Sequence, residues 1–125
     1  MNARLEHVNV TVGDAERTAA LLERLFGWRV RWSGPSLAGG RTVHIGTEDQ
    51  YLALYTANGG GDAPRRWDKG VPLNHVAIVV DDLDMVEARV IEAGLTPFNH
   101  GDYEPGRRFY FFDPDGIEYE IVSYA

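Results

Sequence analysis

His7 and His75 sit at matching points of two similar strings, "LEHVNVTVGD" from Leu5 and "LNHVAIVVDD" from Leu73, and Glu120 lies in a third, "GIEYEIV". Each string alternates as a strand with one buried face does. Along the first, Val8, Val10 and Val12 share one face while His7, Asn9 and Thr11 share the other. Along the second, Val76, Ile78 and Val80 oppose His75, Ala77 and Val79; along the third, Tyr119 and Ile121 oppose Glu118, Glu120 and Val122. If the strands line one concave surface, His7, His75 and Glu120 converge on it. Two neutral imidazoles and a carboxylate form a common set for a divalent ion such as Fe(II), Mn(II) or Zn(II), with coordination positions left open.

The strings belong to a longer duplication. "RTVHIGTEDQYLALY" from Arg41 lies over "RFYFFDPDGIEYEIV" from Arg108 when Arg41 is set on Arg108 without a gap, which puts His44 on Phe111. The offset is 68 residues at the histidines and 67 here, so one residue is lost between them, in the helix or the loop after it. "DAERTAALLERLFG" carries Ala19, Leu22, Leu25 and Phe26 at helical spacing, and "DLDMVEARVIEAG" carries Leu83, Val86, Val90 and Ile91. Asp14 and Asp82 stand as N-caps, and Gly27 and Gly94 as C-terminal stops. Three shorter strands complete each half. The last two of the second half are joined by "DPDG", where Pro presets one turn torsion and Gly accepts a positive one. The unit is βαβββ, used twice, which makes an α+β fold. One domain spans 1–125, with module 1 at about 1–58, a linker at about 59–71 inside "ANGGGDAPRRWDKGVP", and module 2 at about 72–125.

Composition narrows the partners. At 125 residues the chain fills one domain. Its 44% hydrophobic and 25% charged residues are those of an ordinary globular protein. A net charge of −7 argues against nucleic acid, since the only paired basic residues are Arg65 with Arg66 and Arg107 with Arg108. With no cysteine, any metal is held by nitrogen and oxygen. "MNARLEHVNV" lacks a long apolar core, and no run approaches the roughly 18 apolar residues of a membrane span, so a cytoplasmic protein with no membrane partner is expected.

With these residues assembled, the chain resembles the vicinal oxygen chelate superfamily, which includes glyoxalase I, bleomycin-resistance proteins, extradiol dioxygenases and fosfomycin-inactivating thiol transferases. The likeness covers nearly the whole chain and is carried by "LEHVNVTVGD", "NHVAIVVDD" and "FYFFDPDGIEYEIV", specific as a set and weak singly. It implies a cupped, barrel-like mixed sheet with helices on its outer face, a divalent metal held by His7, His75 and Glu120, and a homodimer. It also sets Ala53, in "YLALY", where glyoxalase I has a fourth ligand, a Glu. Ala53 can neither ligate nor accept a proton, so the resemblance implies something other than a true glyoxalase I. The three-ligand set is similar to that of the dioxygenases and the fosfomycin transferases. The transferases place a Thr where this chain has Asn9. The dioxygenases carry a His shortly before a pocket Tyr, which implies catalytic roles for His100 and Tyr110 in "HGDYEPGRRFY".

Each candidate has a plainer reading. Either histidine alone reads as a hydrogen-bonded residue on a half-buried strand, and Glu120 could instead pair with Arg108. Tyr110 could orient a substrate oxyanion or simply fill space. His100 is expected in a surface loop, Glu118 at a solvent-facing rim, and His44, set on Phe111, against the helix layer. Tyr51 and Tyr55 flank Ala53 and shape an aromatic pocket. Two functions stay open. The first is a metal-dependent dioxygenase, lyase or transferase that takes a small substrate through neighbouring oxygens. The second is a metal-free binding module, similar to bleomycin-resistance proteins, holding a bulky cation in an acidic groove, which the net charge and Trp28, Trp32 and Trp67 would suit.

Overall fold

A computed structural model of the chain describes residues 4–36, 39–59, 73–103 and 106–125. The chain divides into two compact units, Met1–Pro64 and Arg65–Ala125. The first holds β1 (His7–Thr11), α1 (Ala15–Phe26), β2 (Arg29–Pro35), β3 (Arg41–Gly46) and β4 (Tyr51–Thr56). The second repeats the order with β5 (Val76–Val79), α2 (Leu83–Glu92), β6 (Phe98–Tyr103), β7 (Gly106–Phe112) and β8 (Glu118–Ser123). Each unit forms a mixed four-stranded sheet, ordered β1-β4-β3-β2 and β5-β8-β7-β6, with its first strand parallel to its last. The α+β class and the paired βαβββ modules are therefore present. Residues 60–71 of the expected linker lie outside the described residues, Arg65, Arg66 and Trp67 among them.

The helices begin and end where capping chemistry dictates. Asp14 accepts from the Arg17 N–H and Asp82 from the Met85 N–H, satisfying donors that a helix start leaves orphaned. Gly27 ends α1 at φ 70° and donates to the Glu23 carbonyl. At the second helix Gly94, at φ 85°, donates to Ile91 while Leu95 donates to Val90, a Schellman closure. Leu22 and Leu25 of α1 are fully buried, as are Val43, Ile45 and Leu54 of the sheet. Burial of each such side chain stabilises the fold by about 1.5–3 kcal/mol. Leu83, Val86 and Val90 bury the matching face of α2. Ile91, expected in that stripe, is instead 58% exposed, because it lies about 100° round the helix from the wholly buried Val90.

The "DPDG" turn joins β7 to β8. Asp113 accepts from the backbone N–H groups of Asp115 and Ile117 through Oδ1, at 2.9 and 3.0 Å, while Gly116 turns at φ 82°. The Asp113 carboxyl is buried, and that burial pushes its pKa up to about 6 against the pull of those backbone donors. The corresponding turn of the first unit uses Thr47, whose hydroxyl accepts from the Asp49 N–H in an exposed setting.

Candidate functional site

Strand pairing fixes which residues of the two units correspond. Trp32 pairs with His44 and His44 with Ala53; likewise Phe98 pairs with Tyr110 and Tyr110 with Glu120. Ala53 is thus the structural counterpart of Glu120, and Tyr51 of Glu118. His44 corresponds to Tyr110, not to Phe111, because the turn after β3 is one residue shorter than the turn after β7. The gap-free pairing of Arg41 with Arg108 had slipped by one, and a one-residue slip sends a side chain to the opposite face. His44 accordingly does not pack toward the helix. It stacks on Tyr51 at 4.6 Å and meets Trp32 at 5.1 Å, on the face that carries His7.

In the second unit, His75 and Glu120 come together: His75 Nε2 lies 2.9 Å from Glu120 Oε1. The other atom of each group is already engaged. His75 Nδ1 contacts Asn74 Oδ1 at 2.7 Å, and Glu120 Oε2 accepts from Arg108 at 2.9 Å. The plainer pairing of Glu120 with Arg108 is therefore real, but it takes one oxygen and leaves the other turned to the imidazole. With the proton of the neutral ring on Nδ1, Nε2 presents a lone pair to a carboxylate. In that tautomer the two facing acceptors suit a cation held between them.

His7 repeats the arrangement. Its Nδ1 lies 2.8 Å from Glu6 Oε1, so in both units the residue just before the histidine occupies Nδ1 and leaves Nε2 for a ligand. Outer partners of this kind fix ring orientation in metal sites. Glu6 also accepts from the Tyr51 hydroxyl at 3.2 Å. These two hydrogen bonds, His7 first, lower the Glu6 pKa, while desolvation and the Glu6 charge raise that of Tyr51. Desolvation, then the proximity of His7 and Arg31, lowers the His44 pKa.

A cavity of about 380 Å³ opens beside His75, lined also by Asn74, Asn99, His100, Gly101, Tyr110 and Glu118. Tyr110 meets the His75 ring edge-on at 5.7 Å. Glu118, expected at a solvent rim, is buried, because β8 is an inner strand flanked by β5 and β7. Its carboxylate stands 3.9 Å from His75 Nδ1. His100 lies in β6 rather than a loop, and its Nε2 is paired with Glu87 of α2 at 2.6 Å. Asn99 holds φ 52° where β6 shifts register against β7. A bulge of this kind re-aims side chains beside a site. Sequence reasoning missed Asn74 and Asn99; the place of Asn74 was open to view, since it precedes His75 as Glu6 precedes His7.

Residues 4–121 match the family model described as the Glyoxalase/Bleomycin resistance protein/Dioxygenase superfamily, and the chain belongs to that superfamily. Among solved structures, it is similar to a glyoxylase/bleomycin resistance protein/dioxygenase domain from Frankia sp. EAN1pec (TM-score 0.77, 20% identity, covering 98% of this chain and 97% of that one). It is similar also to the fosfomycin resistance protein FosX from Mesorhizobium loti (TM-score 0.74, 26% identity, 98% and 92% covered). FosX from Listeria monocytogenes, solved in complex with Mn(II) and sulfate, matches with a TM-score of 0.75 at 20% identity, with 98% and 93% covered. No curated protein matches in sequence. Among the described residues, no helix is long and apolar enough to cross a membrane, and no cluster of three or more potential ligands forms by itself.

Proposed function

We propose that this protein is a divalent-metal-dependent enzyme acting on a small substrate that binds through two neighbouring oxygens, and that His7, His75 and Glu120 hold the metal. The observation that carries the reading is the facing of His75 Nε2 and Glu120 Oε1 at 2.9 Å, each with its second atom tied away. Two ligands with bonds of about 2.1 Å at a right angle stand about 3 Å apart, so the pair fits adjacent positions of one ion. The complex of FosX with Mn(II) supports a divalent ion in this superfamily, and Mn(II), Fe(II) and Zn(II) all suit two imidazoles and a carboxylate.

A bound ion would supply Lewis acidity to the substrate oxygens. The surrounding residues do the rest. Asn74 fixes the His75 ring, Arg108 holds Glu120 to one free oxygen, and Tyr110 faces the cavity with a hydroxyl able to donate to a substrate oxyanion. His100 borders the same cavity, and its Nε2 pairs with Glu87, which orients the ring and leaves Nδ1 for a role beside Tyr110. With Ala53 at the position that corresponds to Glu120, the proton relay of glyoxalase I is incomplete, and little turnover of that enzyme's substrate is expected. A cytoplasmic homodimer without nucleic-acid or membrane partners belongs to the same reading. The charge of −7 argues against nucleic acid, and light scattering tests the dimer.

One observation favours a metal-free binding protein instead: Arg108 already gives Glu120 a counter-charge. Elemental analysis of protein purified without added metal, beside Glu120→Ala, separates the two. Stoichiometric Mn, Fe or Zn lost in the variant supports the enzyme; equal content in both proteins overturns it.

A further inference from the structure

The face of the first unit that carries His7 is built from rings. His7 on β1, Tyr51 on β4, His44 on β3 and Trp32 on β2 follow the order of the strands across the sheet. Successive ring centroids stand 4.8, 4.6 and 5.1 Å apart. The helix-side core does not need this row, since Val10, Val43, Ile45, Leu52 and Leu54 already fill that side. The row lies on the opposite face, and its end is open, with Trp32 49% exposed. A register shift between Val30 and Trp32 leaves Arg31 outside the ladder and carries its guanidinium over the Tyr51 ring, 4.4 Å from the centroid. The counterpart positions in the second unit hold Glu118 and Glu120, so where those acids stand this face has Tyr51 and Ala53, and it offers π-surface with the Arg31 guanidinium over the Tyr51 ring and the Glu6 carboxylate at the Tyr51 hydroxyl.

We propose that this face binds the planar aromatic ring of a ligand that carries an anionic group, the ring stacking along Trp32 and His44 and the anion meeting Arg31. Offset rings are attracted beyond their buried area, and a planar anion suits a guanidinium lying flat on a tyrosine. Glu6 at the His7 end repels the anion and so sets the ligand's direction along the row. That the ring belongs to the substrate rests on the metal-dependent reading; the stacking itself does not.

The test titrates 2-naphthoate and its saturated counterpart, decahydro-2-naphthoate, into protein stripped of metal with a chelator, followed by ligand-observed NMR. The aromatic probe should bind roughly 2–12-fold more tightly than the saturated one. That margin should vanish in Trp32→Leu or His44→Leu, and Arg31→Gln should weaken both probes. Val79→Ala, which trims an exposed apolar side chain of the other unit, should leave both affinities as they are. Equal affinity for the two probes, binding of neither, or a margin that survives both ring substitutions would overturn the proposal. Because the titration uses metal-free protein, it can fail while the wild type still retains its metal, and it can succeed where the metal assay fails.

Discussion

The two sheet faces descend from one pattern and now differ at a handful of positions. In the second unit the face reads His75, Glu118, Tyr110, Phe98, with Glu120 and Arg108 beside them; in the first it reads His7, Tyr51, His44, Trp32, with Ala53 and Thr42. The helix-side residues, by contrast, stay apolar in both. Core positions are held by packing, which tolerates little change, while the outward face is free to specialise. The result is one unit rich in charge and one rich in rings.

The largest expected effect comes from making the second face resemble the first. Glu120→Ala leaves Arg108 without its carboxylate in a mostly buried setting and should destabilise the protein by about 3–5 kcal/mol in denaturant melts. Adding Arg108→Thr reproduces the Ala53 and Thr42 pairing, so it should recover much of that stability without restoring metal. If the double variant is as unstable as the single one, the loss of the carboxylate beside Arg108 is not the cause.

The turn residues offer the next contrast. The Asp113 pKa is raised from 3.8 to about 6, so its folded environment favours the neutral form. That contribution is complete below pH 3.8 and is lost as pH rises through about 6, on the order of 2–3 kcal/mol. Asp113→Asn keeps the Oδ1 acceptor and should be more stable than wild type at pH 7.5 but not at pH 4, as read from urea midpoints. The first unit holds Thr47 at the place of Asp113, a hydroxyl that carries no such charge.

Arg108→Gln should weaken metal binding by about 10–100-fold, as loss of a partner behind a ligand commonly does, measured by competition with a chromogenic chelator. An increase in affinity would mean that the guanidinium competes with the metal for Glu120. The smallest effect is a matched one: Gly27→Ala and Gly94→Ala each place a side chain at positive φ with open space around it, and each should cost about 1 kcal/mol.

Much of this was legible in the residues. Capping aspartates, stop glycines and the "DPDG" turn are local signals, and each acts within a few residues, so each was readable without the fold. The correspondence between units was harder, because turns of unequal length move the register by one and a face assignment inverts with it. That is why His44 was expected among the helix contacts and is found among the rings. The partnership of Asn74 with His75 depends on side-chain rotamers, and the pairing of His100 with Glu87 joins a strand to a helix far along the chain. Neither leaves a periodic trace.

The parallel pairing of each first strand with the last strand of its own unit has a consequence for synthesis. β1 has no sheet neighbour until the ribosome has delivered Tyr51–Thr56, and β5 waits likewise for Glu118–Ser123. Until then the nascent chain exposes an unpaired strand edge that invites association with other polypeptides. Closure of each sheet also requires a long loop to be formed first, which slows folding relative to a hairpin. His7 rides on β1 and His75 stands just before β5, so each histidine takes its place only when the last strand of its own unit arrives.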